Sequence, residues 1–426
     1  MQKLMHGLTV LVFLGMATVP AMAATHWHFG ASLRYLTFWS ERDGGKQGLA
    51  DLQGGGAELQ RDGFLDWRLQ GNSRIKMFMR SDVLEGYIEF GYKEAVELVS
   101  AREYWGRYNF NEKAYIVIGQ QRQLFTQFIS YQGWDGNLSL ASVGVSAQSA
   151  SPKITLGYGN FAVALVKPYD GNVNNRRNAL AGELKALYAS HIDPGVKVGL
   201  HADTDIYFPQ IQAQYEYLAD AWRLKLAGAY QHIRINKVGG YWESPLTGNG
   251  RTFSGGGGKA DSWLLGFEGE IDFGPLRLSA AASVGQNWSD AGWNDETSNM
   301  NAYWTDAYML KNLGVIPVFD AMAPAAGGRV AVKWKNTTSF MAAFVSAYRL
   351  TEALRLEAGV GYRHDRNEGF SRDGHIWTVY LQAAYTVAPG FTVTPEVGYI
   401  DLGKHVRTKN AMGDICYLGA KWQMDF

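Results

Sequence analysis

The sequence predicts an all-β protein, a single transmembrane antiparallel β-barrel of 18 strands, with 16 strands as the alternative. Three observations support this prediction. Many segments alternate apolar and polar residues, which is the period of a strand. The breaks between them are short and long in turn, as expected when tight turns lie at one end of a barrel and long loops at the other. The 426 residues are also 46% hydrophobic and 13% aromatic, and 50 of them are glycine.

The alternation also predicts which face meets lipid. Trp263, Leu265 and Phe267 fall on one face of their strand, and Glu268 and Glu270 fall on the other. A barrel of 16 or more strands has a lumen too wide to fill with side chains. The polar face is therefore expected to line water and the apolar face to meet lipid, whereas a soluble β-sandwich would bury the apolar face.

The breaks divide the chain into 18 expected strands, with short periplasmic turns and long extracellular loops between them. Three of these strands (113–120, 153–158 and 161–167) are shorter than the ~9–11 residues that a tilted strand needs, and merging two of them into loops would give 16. The expected strands are 26–38, 63–80, 83–93, 100–109, 113–120, 153–158, 161–167, 182–191, 195–204, 209–218, 221–235, 262–273, 276–287, 338–349, 353–364, 375–387, 391–401 and 413–426.

Residues 1–23 read as a cleaved secretory signal peptide, and residues 24–426 as the barrel domain. The first three residues include a basic one, Lys3, and a short apolar segment follows. The region ends on Ala-Met-Ala, as at a signal-peptide cleavage site. A membrane anchor is the alternative, but the apolar run is shorter than the ~20 residues of a span. The single cysteine, Cys416, allows no internal disulfide, and a formal net charge of zero gives no field for nucleic acid.

The last residues, 414–426, carry a family resemblance. Alternate residues back from Phe426 are apolar, and the chain ends on this aromatic residue. The segment resembles the closing strand of bacterial outer-membrane proteins, porins included. The resemblance implies a general porin, which is commonly a homotrimer in outer-membrane lipid and lets small hydrophilic solutes and ions diffuse through it. Small outward residues such as Gly71 and Ser73, or Ala280 and Ala282, would allow close subunit packing.

The lumen face of the second strand is rich in cations. Arg68, Arg74, Lys76 and Arg80 share that face with one acid, Asp66. Two further candidates for the pore lining are Arg107 on a following strand and Arg122 just after the fifth. These cations predict a positive ladder that selects by charge. The alternative is that acids from a loop pair with them and remove the selectivity.

The third loop, residues 121–152, is the candidate constriction. In general porins, which this chain resembles, the loop after the fifth strand folds into the barrel and is usually acidic. Here residues 123–151 contain one acid, Asp135. We therefore predict a net positive constriction that prefers anions. The loop at residues 288–337 competes for this role, since a connection of ~50 residues is far above the usual length.

Other functions remain open at this point: a substrate-specific channel, an adhesive barrel or an outer-membrane hydrolase. Residues 363–369 faintly resemble the His-x-Ser-Asn-Gly segment of outer-membrane phospholipases, but Arg366 stands where the serine nucleophile belongs. The pairs His26/His28 and His201/Asp203 have no third metal ligand nearby in sequence. The sequence therefore predicts a protein that is not an enzyme, with no metal and no cofactor.

Overall fold

The computed structural model describes residues 26–43, 62–93, 98–134, 140, 143–146, 150–169, 197–243, 250–255, 257–293, 316–319, 332–368, 373–404 and 413–426. The predicted signal peptide, residues 1–23, lies outside them. Within these ranges no helix has the length and apolar character needed to cross a membrane.

Almost all of the described chain is strand. The strands are β1 (His26–Asp43), β2 (Asp62–Leu69), β3 (Arg74–Arg80), β4 (Leu84–Lys93), β5 (Leu98–Asn109), β6 (Ala114–Gln121), β7 (Ser151–Tyr158), β8 (Phe161–Val166), β9 (Lys197–Asp205), β10 (Gln210–Leu218), β11 (Trp222–Glu243), β12 (Gly250–Gly255), β13 (Gly258–Phe273), β14 (Leu276–Gln286), β15 (Ile316–Phe319), β16 (Val332–Lys335), β17 (Thr337–Arg349), β18 (Leu354–Asn367), β19 (Gly374–Ala388), β20 (Phe391–Asp401) and β21 (Asp414–Asp425).

Sixteen strands close into one antiparallel barrel. β2 and β3 both pair with β1 and together form the second barrel strand. Each barrel strand pairs with the next, in the order β1, β2/β3, β4, β5, β6, β7, β8, β10, β11, β13, β14, β17, β18, β19, β20 and β21. The last strand then pairs with the first, from Ser32 opposite Asp425 to Asp43 opposite Asp414. This closure leaves no open edge.

The predicted count of 18 is therefore wrong, and the alternative of 16 is right, although for another reason. The three short candidates are genuine barrel strands, β6, β7 and β8. The expected strand at 195–204 is β9, which pairs with the outer half of β11 at Arg234–Glu243 and continues the line of β10. Residues 182–191 lie outside the described part of the chain. Alternation alone cannot distinguish a barrel strand from such an extension.

The extension explains an unusually long strand. β11 has 22 residues, or about 70 Å at ~3.3 Å per residue, which is far more than a hydrocarbon core of ~30 Å requires. Its outer half carries β9 on one side and β12 on the other. β15 and β16 pair with each other in a separate two-stranded sheet outside the barrel.

Short turns and long loops alternate as predicted. The turns lie between β3 and β4, β5 and β6, β7 and β8, β10 and β11, β13 and β14, β17 and β18, and β19 and β20. Gly159, Gly274 and Gly390 occupy three of them with φ of 57°, 61° and 80°, a region that glycine enters without steric cost. The opposite end carries the eight longer connections, of which we use L3 (residues 122–150) and L6 (residues 287–336) below.

The apolar face points outward, as predicted. Leu265 is 59% exposed, and Phe267 and Leu356 are also exposed on the outer surface. Their alternating neighbours Glu268 and Glu357 are buried inside the barrel. The side chains at alternate positions of β21 follow the same pattern, with Phe426, Met424, Trp422 and Leu418 outward and Cys416 exposed beside them.

The inner face is less polar than predicted. Leu36, Phe38, Ile376, Ile400 and Ile415 lie on the inward face of β1, β19, β20 and β21, and all are buried. They are not exposed to lumen water because L3 covers them, as described below. One part of the inner wall thus forms a hydrophobic core, and another part remains polar.

Candidate functional site: the lumen constriction

L3 folds into the barrel and lies along its inner wall. The contact between L3 and the wall starts at Leu124, whose backbone N–H donates to the Gln212 side chain on β10 (2.9 Å). It continues past β13 and β14, where Gln127 Nε2 donates to the carbonyls of Phe267 (2.8 Å) and Ala282 (3.0 Å). It reaches Gln70, which follows β2 and whose Nε2 donates to the Gly133 carbonyl (3.2 Å). The described part of L3 therefore follows the wall from β10 round to β2.

Buried glutamates of the wall hold the L3 backbone. Glu268 on β13 accepts from the N–H of Phe128 (3.1 Å). Glu357 on β18 accepts from Tyr131 (2.8 Å). Glu396 on β20 accepts from Trp134 (3.2 Å) and from Gly133.

These carboxylates are 4%, 2% and 2% exposed for Glu268, Glu357 and Glu396. A buried carboxylate needs strong partners. Glu357 also accepts from Tyr380 (2.7 Å) and Gln382 (2.8 Å), and Arg223 lies 3.1 Å from Glu268. The acids that fix the constriction are thus on the wall rather than on the loop.

The underside of L3 packs as a hydrophobic core. Trp134 stacks on Tyr417 with ring centroids 4.5 Å apart and 12° between the planes. Ile129, Leu140, Val143 and Val145 join the same cluster as the inward apolar residues of the wall. At Gly361 on β18 a Cβ would lie 2.0 Å from the carbonyl oxygen of Val143, so only glycine allows L3 to approach the wall this closely.

The base of L6 enters the barrel as well. It forms a 3₁₀ helix, Trp288–Ala291, and places Trp288 and Trp293 in a second buried cluster. Phe125 of L3 packs edge-on against Trp293 at 5.5 Å, and Gln210 Nε2 donates to the Ala291 carbonyl (3.3 Å). Both loops proposed for the constriction thus contribute, with L6 supporting the start of L3. Residues 294–315 and 320–331 of L6 lie outside the described chain.

The lumen side of L3 carries no charge over residues 123–134. Side chains alternate along this segment: Gln123, Phe125, Gln127 and Ile129 are buried, whereas Leu124, Thr126 and Phe128 are half-buried. Tyr131 is 40% exposed, and its ring meets Phe128 edge-on at 5.4 Å. Asp135 lies outside the described residues.

The opposite side of the lumen holds the predicted ladder, and most of its cations face acids. Arg68 lies 2.7 Å from Asp66 on its own strand. The other pairs cross between neighbouring strands or, for Arg122, from the start of L3: Arg74–Glu89 (3.3 Å), Arg80–Glu85 (3.8 Å), Arg107–Glu85 (3.9 Å) and Arg122–Glu103 (2.9 Å). The acids belong to barrel strands and not to a loop. Among the described residues Lys76 makes no ion pair, and its chain packs over Gly30.

Two irregularities of the ladder escape sequence reasoning. β2 and β3 are separated by residues 70–73, where Ser73 donates to the Arg34 carbonyl (3.0 Å). Ser73 is therefore buried, and its predicted place on the lipid face is wrong. A bulge between β4 and β5 also brings Arg102 inward, 3.4 Å from Glu89. A strict period of two does not reveal either feature.

A second group of cations surrounds a cavity of about 380 Å³ at the turn end of the barrel, next to Tyr131. The cations are Arg34, Arg349, Arg355 and Lys421. Arg349 and Arg355 flank the turn between β17 and β18, whereas Arg34 on β1 and Lys421 on β21 lie near opposite ends of the sequence, so no single local motif marks the group.

The hydrolase alternative finds no support in the described residues. Arg363 is buried inside the barrel against Asp365 (2.8 Å). His364 is on the opposite, outward face, where it meets Asp373 (3.1 Å). Among the described residues, no group of three or more His, Cys, Asp or Glu side chains is placed to hold a metal ion.

A closed barrel of sixteen strands, with the loop after the fifth strand folded inside, defines the outer-membrane porin fold. No protein-family model matches the chain, and no curated protein matches it in sequence. Among solved structures it is similar to the outer membrane channel DcaP of Acinetobacter baumannii, with a TM-score of 0.56 and 11% identity over 94% of this chain and 97% of that chain.

It is also similar to an anion-selective porin from Comamonas acidovorans, with a TM-score of 0.50 and 8% identity over 94% of this chain and 100% of that one. OmpT, an outer membrane protein of Vibrio cholerae solved in a trimer form, gives a TM-score of 0.49 at 13% identity over 95% of this chain and 100% of that chain. The similarity to DcaP and the Comamonas porin confirms the porin-like fold that the closing strand predicts.

Proposed function

We propose that this protein is a passive channel for small hydrophilic solutes across the outer membrane. The observation that carries the proposal is the position of L3. The loop is fixed to one side of the barrel by Glu268, Glu357 and Glu396, and the charged wall of β2 to β6 faces the remaining lumen. Solutes pass between an uncharged loop face and a charged wall, where pore width and charge select among them.

The channel prefers anions. The ladder cations Arg68, Arg74, Lys76, Arg80, Arg102, Arg107 and Arg122 outnumber the acids Asp66, Glu85, Glu89 and Glu103 that lie beside them. Pairing leaves a modest positive surplus rather than a row of uncompensated charges. The preference is therefore moderate and weakens at high salt, since exposed charges are screened.

Planar-bilayer recording tests both parts of this proposal. The refolded protein is expected to give stepwise conductance, and a potassium chloride gradient is expected to give a reversal potential of the sign that chloride permeation produces. The absence of conductance from folded protein would reject the channel. Conductance with a potassium-selective reversal potential would reject the anion preference alone.

Export, location and assembly complete the proposal. Residues 1–23 direct export and are removed, residues 24–426 insert into outer-membrane lipid, and three copies associate through outward faces that include small residues such as Ala280 and Ala282. The protein works without cofactor, metal, nucleic acid or catalysis. The mature N-terminus, read by mass spectrometry from outer-membrane fractions, and the mass of the folded complex in detergent are the corresponding measurements.

A further inference from the structure

The cavity at the turn end, called the basic chamber below, has a lining suited to anions. It is bounded by Arg34, Tyr131, Arg349, Thr351, Glu352, Ala353, Leu354, Arg355, Gln382, Ala384, Thr386, Thr392, Thr394, Lys421 and Gln423. Four of these side chains are cationic, and one, Glu352, is acidic. L3 contributes Tyr131, so the chamber lies directly on the turn side of the constriction.

The cations of the chamber are forced close together by the register of the strands. Arg349 on β17 stands directly opposite Arg355 on β18. Lys421 on β21 pairs with Leu36 on β1, and Arg34 is two residues along the same face. Like charges at such cross-strand positions repel each other and destabilise the sheet. Glu357 and Glu396 near Lys421 already offset part of this charge, as does Asp425 near Arg34. An anion in the chamber would reduce the repulsion further.

The cations are also oriented by the walls. The guanidinium of Arg355 lies 4.6 Å from the centre of the Tyr131 ring and 3.6 Å from Glu357. Lys421 Nζ donates to the Tyr131 carbonyl (3.3 Å), and Arg34 Nε donates to Ser32 (3.1 Å). These contacts position Arg34, Arg355 and Lys421 at the chamber. A guanidinium carries five N–H donors, so Arg349 and Arg355 can donate to an anion in the chamber.

The uncharged part of the lining suits a ligand rich in oxygen. Threonine hydroxyls at 351, 386, 392 and 394 and the amides of Gln382 and Gln423 offer both donors and acceptors. A volume of about 380 Å³ is within the range of small-molecule sites. Guanidinium groups match carboxylate and phosphate in geometry, which adds specificity to charge.

We infer that the basic chamber is a binding site for small oxyanions, carboxylates or phosphates with two negative charges, on the turn side of the constriction. This inference rests on the proposed channel and names the class of solute that the channel favours. Binding in the chamber is weak and exchanges rapidly, because a channel site must release its solute as readily as it accepts it.

Isothermal titration calorimetry on the folded protein in detergent tests the inference. Succinate and inorganic phosphate are the two probes, and neutral succinamide is the matched control ligand. We expect binding of at least one dianion and none of succinamide. The double variant Arg349→Gln/Arg355→Gln is expected to weaken binding about tenfold or more, since charge-assisted hydrogen bonds are lost.

Lys113→Gln is the control variant, because it removes one positive charge at the turn end of the barrel, on a turn away from the chamber. It is expected to bind like wild type. Circular dichroism of the β-sheet verifies that each variant is folded. Equal affinity of wild type and the double variant, or no binding of either dianion by wild type, would overturn the inference.

The calorimetric result is independent of conductance, so the two proposals fail separately. A conducting protein without dianion binding keeps the channel and loses the chamber. A protein that binds dianions through Arg349 and Arg355 but does not conduct keeps the chamber as a binding site and loses the channel. If succinate and phosphate bind with different affinities, the probe that binds more tightly shows which oxyanion the chamber prefers.

Discussion

Two regions of the inner wall use glutamate in different ways. On β4 and β5, Glu85, Glu89 and Glu103 meet arginine side chains of neighbouring strands or of the start of L3. On β13, β18 and β20, Glu268, Glu357 and Glu396 accept from backbone N–H groups of L3.

The first set moderates the charge of a wall that faces water, and the second fixes the loop that narrows the lumen. The comparison shows that an inward acid on a barrel strand has no fixed role. Its role depends on whether a cation or a folded loop stands opposite, which only the closed barrel determines.

The largest effect is expected from removing the second set. Glu357→Ala with Glu396→Ala removes the acceptors of the half-buried Tyr131 N–H and of the buried N–H groups of Gly133 and Trp134, at a cost of about 1–3 kcal/mol for each glutamate. L3 should detach from the wall, so single-channel conductance should rise and proteases should cleave within L3.

Glu85→Ala is the matched control, since Glu85 contacts Arg80 and Arg107 and makes no described contact with L3. It should leave conductance steps and cleavage close to wild type. If the double variant kept the wild-type conductance and resisted cleavage in L3, the assigned role of the buried glutamates would be wrong.

A smaller effect is expected at the closest approach of L3 to the wall. Gly361→Ala places a methyl group 2.0 Å from the Val143 carbonyl oxygen, so L3 must move or β18 must shift, at a cost of about 1–3 kcal/mol. Urea unfolding in detergent should show this loss. Gly86→Ala, whose added methyl meets Met79 at an ordinary 3.4 Å, should unfold like wild type, and equal midpoints for the two variants would contradict the contact.

Much of this architecture follows from the sequence because lipid imposes one simple rule. A wide barrel has a water-filled lumen, so the apolar side chains of Leu265, Phe267 and Leu356 must point outward to lipid. Short and long breaks alternate because turns lie at one end of the barrel and loops at the other. The sequence also shows a single acid, Asp135, in residues 123–151, and so predicts that L3 itself brings little negative charge to the constriction. These predictions depend on local pattern alone.

What the sequence does not reveal depends on register and on pairing between distant strands. The bulge that turns Arg102 inward appears only when β4 and β5 are aligned. Arg34 and Lys421 share one face only when β1 pairs with β21. In the sequence, Glu357 and Glu396 cannot be distinguished from acids that face lumen water, and only the folded position of L3 shows that they are covered. Residues 195–204 alternate as a barrel strand does, yet β9 pairs beyond the barrel. Alternation gives the face of a residue, and only the closed sheet gives its neighbours.

The smallest expected effect separates paired from unpaired cations of the ladder. Lys76→Gln removes a charge that meets no described acid, so the chloride-to-potassium permeability ratio should fall about fourfold without loss of stability. One charge at ~10 Å in water changes the Boltzmann factor of each ion about twofold, in opposite directions for chloride and potassium. Arg74→Gln removes the same charge but deprives the buried Glu89 of one partner (3.3 Å), so it should also lower the unfolding free energy by about 1–3 kcal/mol.

Reversal potentials and urea unfolding of the two variants, measured side by side at low salt, check this difference. The matched substitution Glu89→Gln should shift selectivity the other way, toward anions, because it removes a negative charge from the same wall. Should Lys76→Gln and Glu89→Gln move the reversal potential in the same direction, the charge of this wall would not set selectivity, and the basic chamber around Arg349 and Arg355 would be the remaining source of it.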